Sequence, residues 1–304
     1  MSTSTSRQLL ASVIAALLLA GCSLNISGTP STPANLPIAT GQPPSSVSVT
    51  AVSPTAPAPN LISSPAPPPT GDLTASFDAV AATMPAGEVG IALFNGQHST
   101  VFGSWTGGAA WSTIKVPLSI AALRADEPEA KPLVQQAISQ SDNIAADQLW
   151  AMLGDPQTAA GAVDIVLREG GDTAVTVQSE QVHPPYSPYG QTIWPKEQAA
   201  VFAFELPCIA AAEPVVELMR NLDGNQQWGL APFADVAAKG GWGPDPGGGY
   251  LVRQIALVTN SSGTFGASLA AKPADGSFET GKGMLNALGS WVDQQRNAIP
   301  GSSC

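Results

Sequence analysis

Trp111-Ser112-Thr113-Ile114-Lys115-Val116-Pro117-Leu118-Ser119-Ile120 decides the reading of this chain. A Gly- and Trp-rich loop (105–111) runs into it, and apolar residues spaced for a helix leave it: Val116, Leu118, Ile120 and Leu123. Residues three apart on a helix share a face. The Ser112 hydroxyl is therefore expected beside the Lys115 amine. A serine needs an adjacent base to attack at neutral pH. Lysine can be that base if burial and a neighbouring cation bring its pKa down from about 10.4. First-turn N–H groups have no partner inside a helix, so the Ser112 N–H is free to meet an oxyanion. A serine three before a lysine is a common chance pairing, yet Lys115 is the only lysine here that has one.

Two further short stretches follow in order. Ser141-Asp142-Asn143 precedes Ile144-Ala145-Ala146. All three of its residues are good helix N-caps, so a plain helix start explains it as well as chemistry does. Lys239-Gly240-Gly241-Trp242 ends a strand-like run and leads into a glycine-rich turn, which an ordinary β-hairpin also explains. Taken together, and over residues 73–297, the three resemble the S-x-x-K, S-D-N and K-T-G set of class A β-lactamases and penicillin-binding proteins. A set of truncated actinobacterial lipoproteins with this hydrolase domain is similar.

The resemblance implies that Ser112 is acylated and that Lys115 helps to remove its proton. Ser141 relays a proton to the leaving nitrogen. Asn143 binds the substrate amide and contacts Lys115. Lys239 favours a substrate carboxylate and helps to lower the Lys115 pKa. The N–H groups of Ser112 and Trp242, the latter following Gly241, form an oxyanion hole. No cofactor and no metal are implied. The expected substrates are a peptidoglycan peptide, a β-lactam-like small molecule or a simple ester.

Three departures from the family pattern stand out. Gly240 occupies the position where a Thr or Ser hydroxyl usually meets the substrate carboxylate, a bond worth roughly 1.5–3 kcal/mol. The interval from Lys115 to Ser141 is short, so one wall of the cleft is expected to be trimmed. Efficient class A enzymes activate the deacylating water with a loop glutamate. The only carboxylate in the corresponding loop, 178–184, is Glu180, with no E-x-x-L-N pattern around it. A solvated Glu180 that does not reach Ser112 or Lys115 is expected, and with it a persistent acyl-enzyme: a DD-peptidase or a slow β-lactamase. The same departures suit an inactive family member that binds a cell-wall ligand or a partner. A third alternative is a surface lipoprotein using the fold as a scaffold.

Other chemistries find no footing. The two histidines, His98 and His183, lie in turn-like polar contexts, and there is no G-x-S-x-G. No H-E-x-x-H occurs, and Gly247-Gly248-Gly249 lacks the ending of a phosphate loop. Trp194, Phe202 and Phe204 read as packing residues. With 12 Lys and Arg and a net charge of −11, the chain is a poor partner for nucleic acid.

The N-terminus reads as an export signal. Arg7 precedes the apolar run 9–20, which is too short for a bilayer span of roughly 20 residues and fits a signal-peptide core. Leu18-Leu19-Ala20-Gly21-Cys22 resembles a bacterial lipoprotein box. It implies cleavage after residue 21, a lipid on Cys22, and a location on the outer face of the bacterial cytoplasmic membrane. Residues 23–71 contain no charged side chain, and twelve of the chain's 28 prolines fall between Pro30 and Pro69. That composition predicts a disordered tether. In an oxidising compartment Cys208 and Cys304 either bridge or stay as two free thiols.

From residue 72 to 304 the periodicity predicts one domain. It reads as a helix over 73–84, strands over 88–95 and 99–105, and a helical block over 112–167 broken near 127, 141 and 154. A loop over 172–195 follows, then helices over 196–205 and 211–221. Strands over 235–241, 250–260 and 264–272 precede a last helix over 281–296. Strands at both ends of the domain predict an α+β, three-layer fold: a mixed five-stranded sheet flanked by the terminal helices, with a small helical lobe beside it. A monomer is expected.

Overall fold

The structure, a computed structural model, describes residues 72–304. The signal segment, Cys22 and the tether lie outside the described residues. Helix α1 (Leu73–Ala81), capped by the Asp72 carboxylate on the Ala75 N–H, leads into the hairpin β1 (Gly87–Phe94) and β2 (Ser99–Phe102). A three-residue strand, β3 (Gly107–Ala109), precedes the helical block α2 (Lys115–Ala125), α3 (Glu127–Gln135), α4 (Asn143–Met152) and α5 (Pro156–Glu169). Asp126, Asp142 and Asp155 cap α3, α4 and α5, so the turn signals seen in the sequence are the helix starts themselves. Then come β4 (Ile193–Pro195), α6 (Lys196–Glu205) and α7 (Glu213–Arg220). The chain finishes with β5 (Val236–Pro244), β6 (Tyr250–Asn260), β7 (Gly263–Pro273) and α8 (Phe278–Gln295).

The main sheet has the order β2-β1-β7-β6-β5. Every neighbouring pair is antiparallel, which narrows the mixed sheet expected from the element order. Parallel neighbours need a crossover between adjacent strands. Here the helical block returns the chain to the far edge, β5, and hairpins carry it back to β7 beside β1. The second sheet, β3 paired with β4, has no counterpart in the sequence reading.

The strand period of two gives the sheet two different faces. One face joins α1 and α8 in a core that contains Phe77, Val236, Ala238, Val252, Trp228 and Trp291. The other carries Ala237, Ile255 and Leu257 into the core of the helical lobe. Residues 115–123 of α2 are all buried, so α2 is the central post of that lobe. Lys239 and Gly241 belong to the lobe-facing set, and Gly240 and Trp242 to the α8-facing set. The functional cleft opens where the edge strand β5 meets the start of α2.

Candidate active site

Ser112 stands not in the first turn of α2 but in a 3-10 turn, Trp111–Ile114, immediately ahead of it. Residues three apart eclipse one another in a 3-10 turn, but the Lys115 amine gives its hydrogen bonds to residues 141–143, and among the described residues none joins it to the Ser112 hydroxyl. Trp111 has φ 49°, a left-handed conformation that a bulky residue rarely adopts. Ser141 is left-handed as well, at φ 60°. Backbone outliers of this kind gather at working sites.

Ser112, Lys115, Ser141, Asn143 and Trp242 line one cleft of about 390 Å³. Lys115 is 1% exposed. Its amine donates to Ser141 O (2.7 Å), Asp142 O (3.1 Å) and Asn143 Oδ1 (2.7 Å). Burial lowers its pKa to about 7, against the opposing pull of the Asp142 and Asp147 carboxylates. Lys239, fully buried, donates to Ser141 Oγ (2.8 Å) and Gly240 O (2.9 Å). Its pKa is pushed well down by burial, and then by the charge of Lys115. Burial is the main cause for both amines, and the mutual repulsion of Lys115 and Lys239 disfavours a second charge in the pair. Asp142 caps α4 through Ala145 N (2.7 Å), so one tripeptide both starts a helix and presents Ser141 and Asn143 to the lysines.

Strand β5 is built of glycines for a reason visible at each position. A Cβ on Gly241 would lie 2.8 Å from Ser112 N, and one on Gly243 would lie 2.4 Å from the Trp111 indole. The strand backbone can abut the Ser112 turn only without side chains there. On the other face, a Cβ on Gly240 would lie 2.3 Å from the Trp228 ring. The hydroxyl absent from this position is therefore not an empty space: a buried tryptophan fills it.

Glu180 is exposed. Among the described residues its carboxylate makes no hydrogen bond, and it is not part of the cleft lining. Cys208 and Cys304 are joined by a disulfide. Several cleft residues went unread in the sequence. Asp147 lies one helical turn beyond Asn143, a spacing that could have flagged it. Tyr186, Ser187, Tyr189 and Tyr250 reach the cleft from loops or a strand end and carried no local signal.

No protein-family model matches this sequence, and no curated protein does. Solved structures do match in fold. A class A β-lactamase from Bacteroides cellulosilyticus superposes with a TM-score of 0.61 at 13% identity, covering 75% of this chain and 98% of the other. The β-lactamase of Sphaerobacter thermophilus gives 0.56 at 17%, covering 75% and 98%. An ancestral class A β-lactamase gives 0.56 at 16%, covering 73% and 99%. The chain has the β-lactamase/transpeptidase-like fold. At these identities the match speaks to the fold alone.

Proposed function

We propose that the chain is an exported, lipid-anchored serine hydrolase that works through an acyl-enzyme on Ser112. The observation that carries this reading is the Lys115 amine: buried, lining one cleft with Ser112, held by three oxygens, and with its pKa lowered by burial to about 7. That amine can take a proton from a serine at neutral pH. In the proposed reaction Ser112 Oγ attacks a carbonyl carbon and its proton passes to Lys115. The oxyanion is met by the N–H groups of Ser112 and Trp242. Ser141 Oγ, held by Lys239, delivers a proton to the leaving atom, and the C–N or C–O bond breaks. Export and a lipid on Cys22 rest on the N-terminal sequence. They place the domain outside the cytoplasmic membrane, in reach of peptidoglycan peptides and β-lactams.

Without a carboxylate-binding hydroxyl at Gly240, slow turnover of a DD-peptidase or weak β-lactamase kind fits better than efficient β-lactam hydrolysis. The test is to follow intact mass after adding a penicillin, or an activated aryl ester, to the wild-type chain and to Ser112→Ala. An adduct on wild type and none on the variant is expected. The competing reading, an inactive ligand-binding member of the fold, is favoured by Trp228 filling the Gly240 space. It becomes the better account if neither acyl donor labels the wild type or is turned over to product.

A further inference from the structure

An acyl-enzyme is an ester, and it is hydrolysed quickly only if something takes a proton from water. Among the residues lining the cleft, Asp147 is the one carboxylate. It lies on α4 four residues after Asn143, and such residues share a helix face. Asn143 Oδ1 is bonded to Lys115. Lys115 thus joins Ser141 and Asn143, and Asp147 lies one turn further along α4.

The loop over 172–192 fixes this carboxylate. Ser187 Oγ and Tyr189 OH both donate to Asp147 Oδ1, each at 2.6 Å. Oδ2 has no hydrogen-bond partner among the described residues. Tyr189 is 3% exposed, its ring against Trp150, with burial and Asp147 pushing its pKa up, so it stays a neutral donor. Gln191 secures the loop in turn, accepting from His183 N (2.7 Å) and donating to Tyr186 O (2.8 Å). Two hydroxyls bonded to one oxygen orient this exposed cleft carboxylate and leave its other oxygen unpartnered, able to take a proton.

We propose that Asp147, oriented by Ser187 and Tyr189, is the base that activates the deacylating water. This rests on the Ser112 acyl-enzyme reading. Water loses a proton to the free oxygen of Asp147 while its oxygen bonds to the acyl carbon. The carbonyl pair becomes the oxyanion. On collapse the bond from carbon to Ser112 Oγ breaks, Oγ takes back the proton held by Asp147, and the carboxylic acid leaves.

The test compares the full chain with Asp147→Asn, Tyr189→Phe and Glu180→Gln, using a penicillin and an activated aryl ester with intact-mass readout. Acylation is measured above about pH 8, where Lys115 is neutral and its response to the lost charge drops out. Asp147→Asn keeps acylation within about threefold and lengthens adduct lifetime by about 100-fold or more. Glu180→Gln releases the acyl group at the wild-type rate. Tyr189→Phe, which keeps the carboxylate but loses one tether, slows release less than Asp147→Asn. A wild-type release rate in Asp147→Asn overturns the proposal. So does equal slowing in Tyr189→Phe, which assigns the effect to loop anchoring. Absence of any adduct on both wild type and Asp147→Asn, with no product released, overturns the acyl-enzyme reading itself, and this one with it.

Discussion

Lys115 is pulled in two directions. Burial disfavours its ammonium form, while Asp142 and Asp147 favour it, and the balance falls at about 7. The three oxygens around the amine suit the ammonium, so the resting site holds its proton until pH rises past that point. Acylation by a penicillin should then rise about tenfold per pH unit below 7 and level off above it. A flat profile between about pH 5.5 and 8 would remove Lys115 as the base. The same shift makes a stability statement. The folded pKa lies below the unfolded value of 10.5, so between about 7 and 10.5 the unfolded chain binds the extra proton. Stability therefore rises with pH across that window, and below it the full cost of the buried charge remains. Lys239 is displaced in the same direction and adds to the rise. Urea unfolding at about pH 7 and 9 should show the alkaline sample as the more stable.

Strand β5 shows how one element serves two faces. Its odd-numbered glycines let the backbone approach Ser112 and Trp111, and Gly240 makes room for Trp228. Restoring the usual hydroxyl with Gly240→Thr should therefore fail on steric grounds. Overpacking of this kind costs about 1–3 kcal/mol, roughly 3–10 °C of Tm at this size. Calorimetry checks it, and in a double-mutant cycle Gly240→Thr should cost less in a Trp228→Ala background than in the wild type. A Gly240→Thr protein as stable as wild type would show that Trp228 can step aside.

The same element shows what a sequence can carry. Strands β6 and β7, the terminal helices and the aspartate-capped helices were legible because periodicity and caps are local. The motif tripeptides were legible because their spacing is short. The β3–β4 sheet was not: Gly107-Gly108-Ala109 and Ile193-Trp194-Pro195 have no period of their own. What holds them is Arg253 on β6, fully buried, which donates to Gly108 O (3.0 Å), Ala109 O (3.2 Å) and Trp194 O (3.0 Å) and lies over Trp105. Contacts across more than fifty residues leave no trace in a sequence window. The tyrosines of the cleft were hidden for the same reason.

At the scale of the whole domain, the cleft lies between two bodies of core that must keep their relation: the sheet with α1 and α8, and the helical lobe. Helix α6 belongs to both. It packs in the lobe core through Ala199 and Phe202, and on the sheet it presses so closely that a Cβ on Gly266 would lie 2.0 Å from Ala200 O. The C-terminal tail closes over this junction. Ser302 exchanges backbone hydrogen bonds with Thr264 at the start of β7, 2.7 and 2.9 Å. The Cys304–Cys208 disulfide then ties the tail to the turn that follows α6, spanning 96 residues of chain. Closing a loop of that size restricts the unfolded chain and stabilises the fold by about 2–4 kcal/mol. Cys304→Ser, or reduction of the wild type, should lower Tm by roughly 5–15 °C. Neither cysteine lines the cleft, so Ser112 acylation at about 25 °C should stay within twofold. Loss of acylation in parallel with Tm would mean that the clamp also sets the cleft. An unchanged Tm would mean that the tail lies outside the cooperative unit, and that α6 alone holds the two bodies in register.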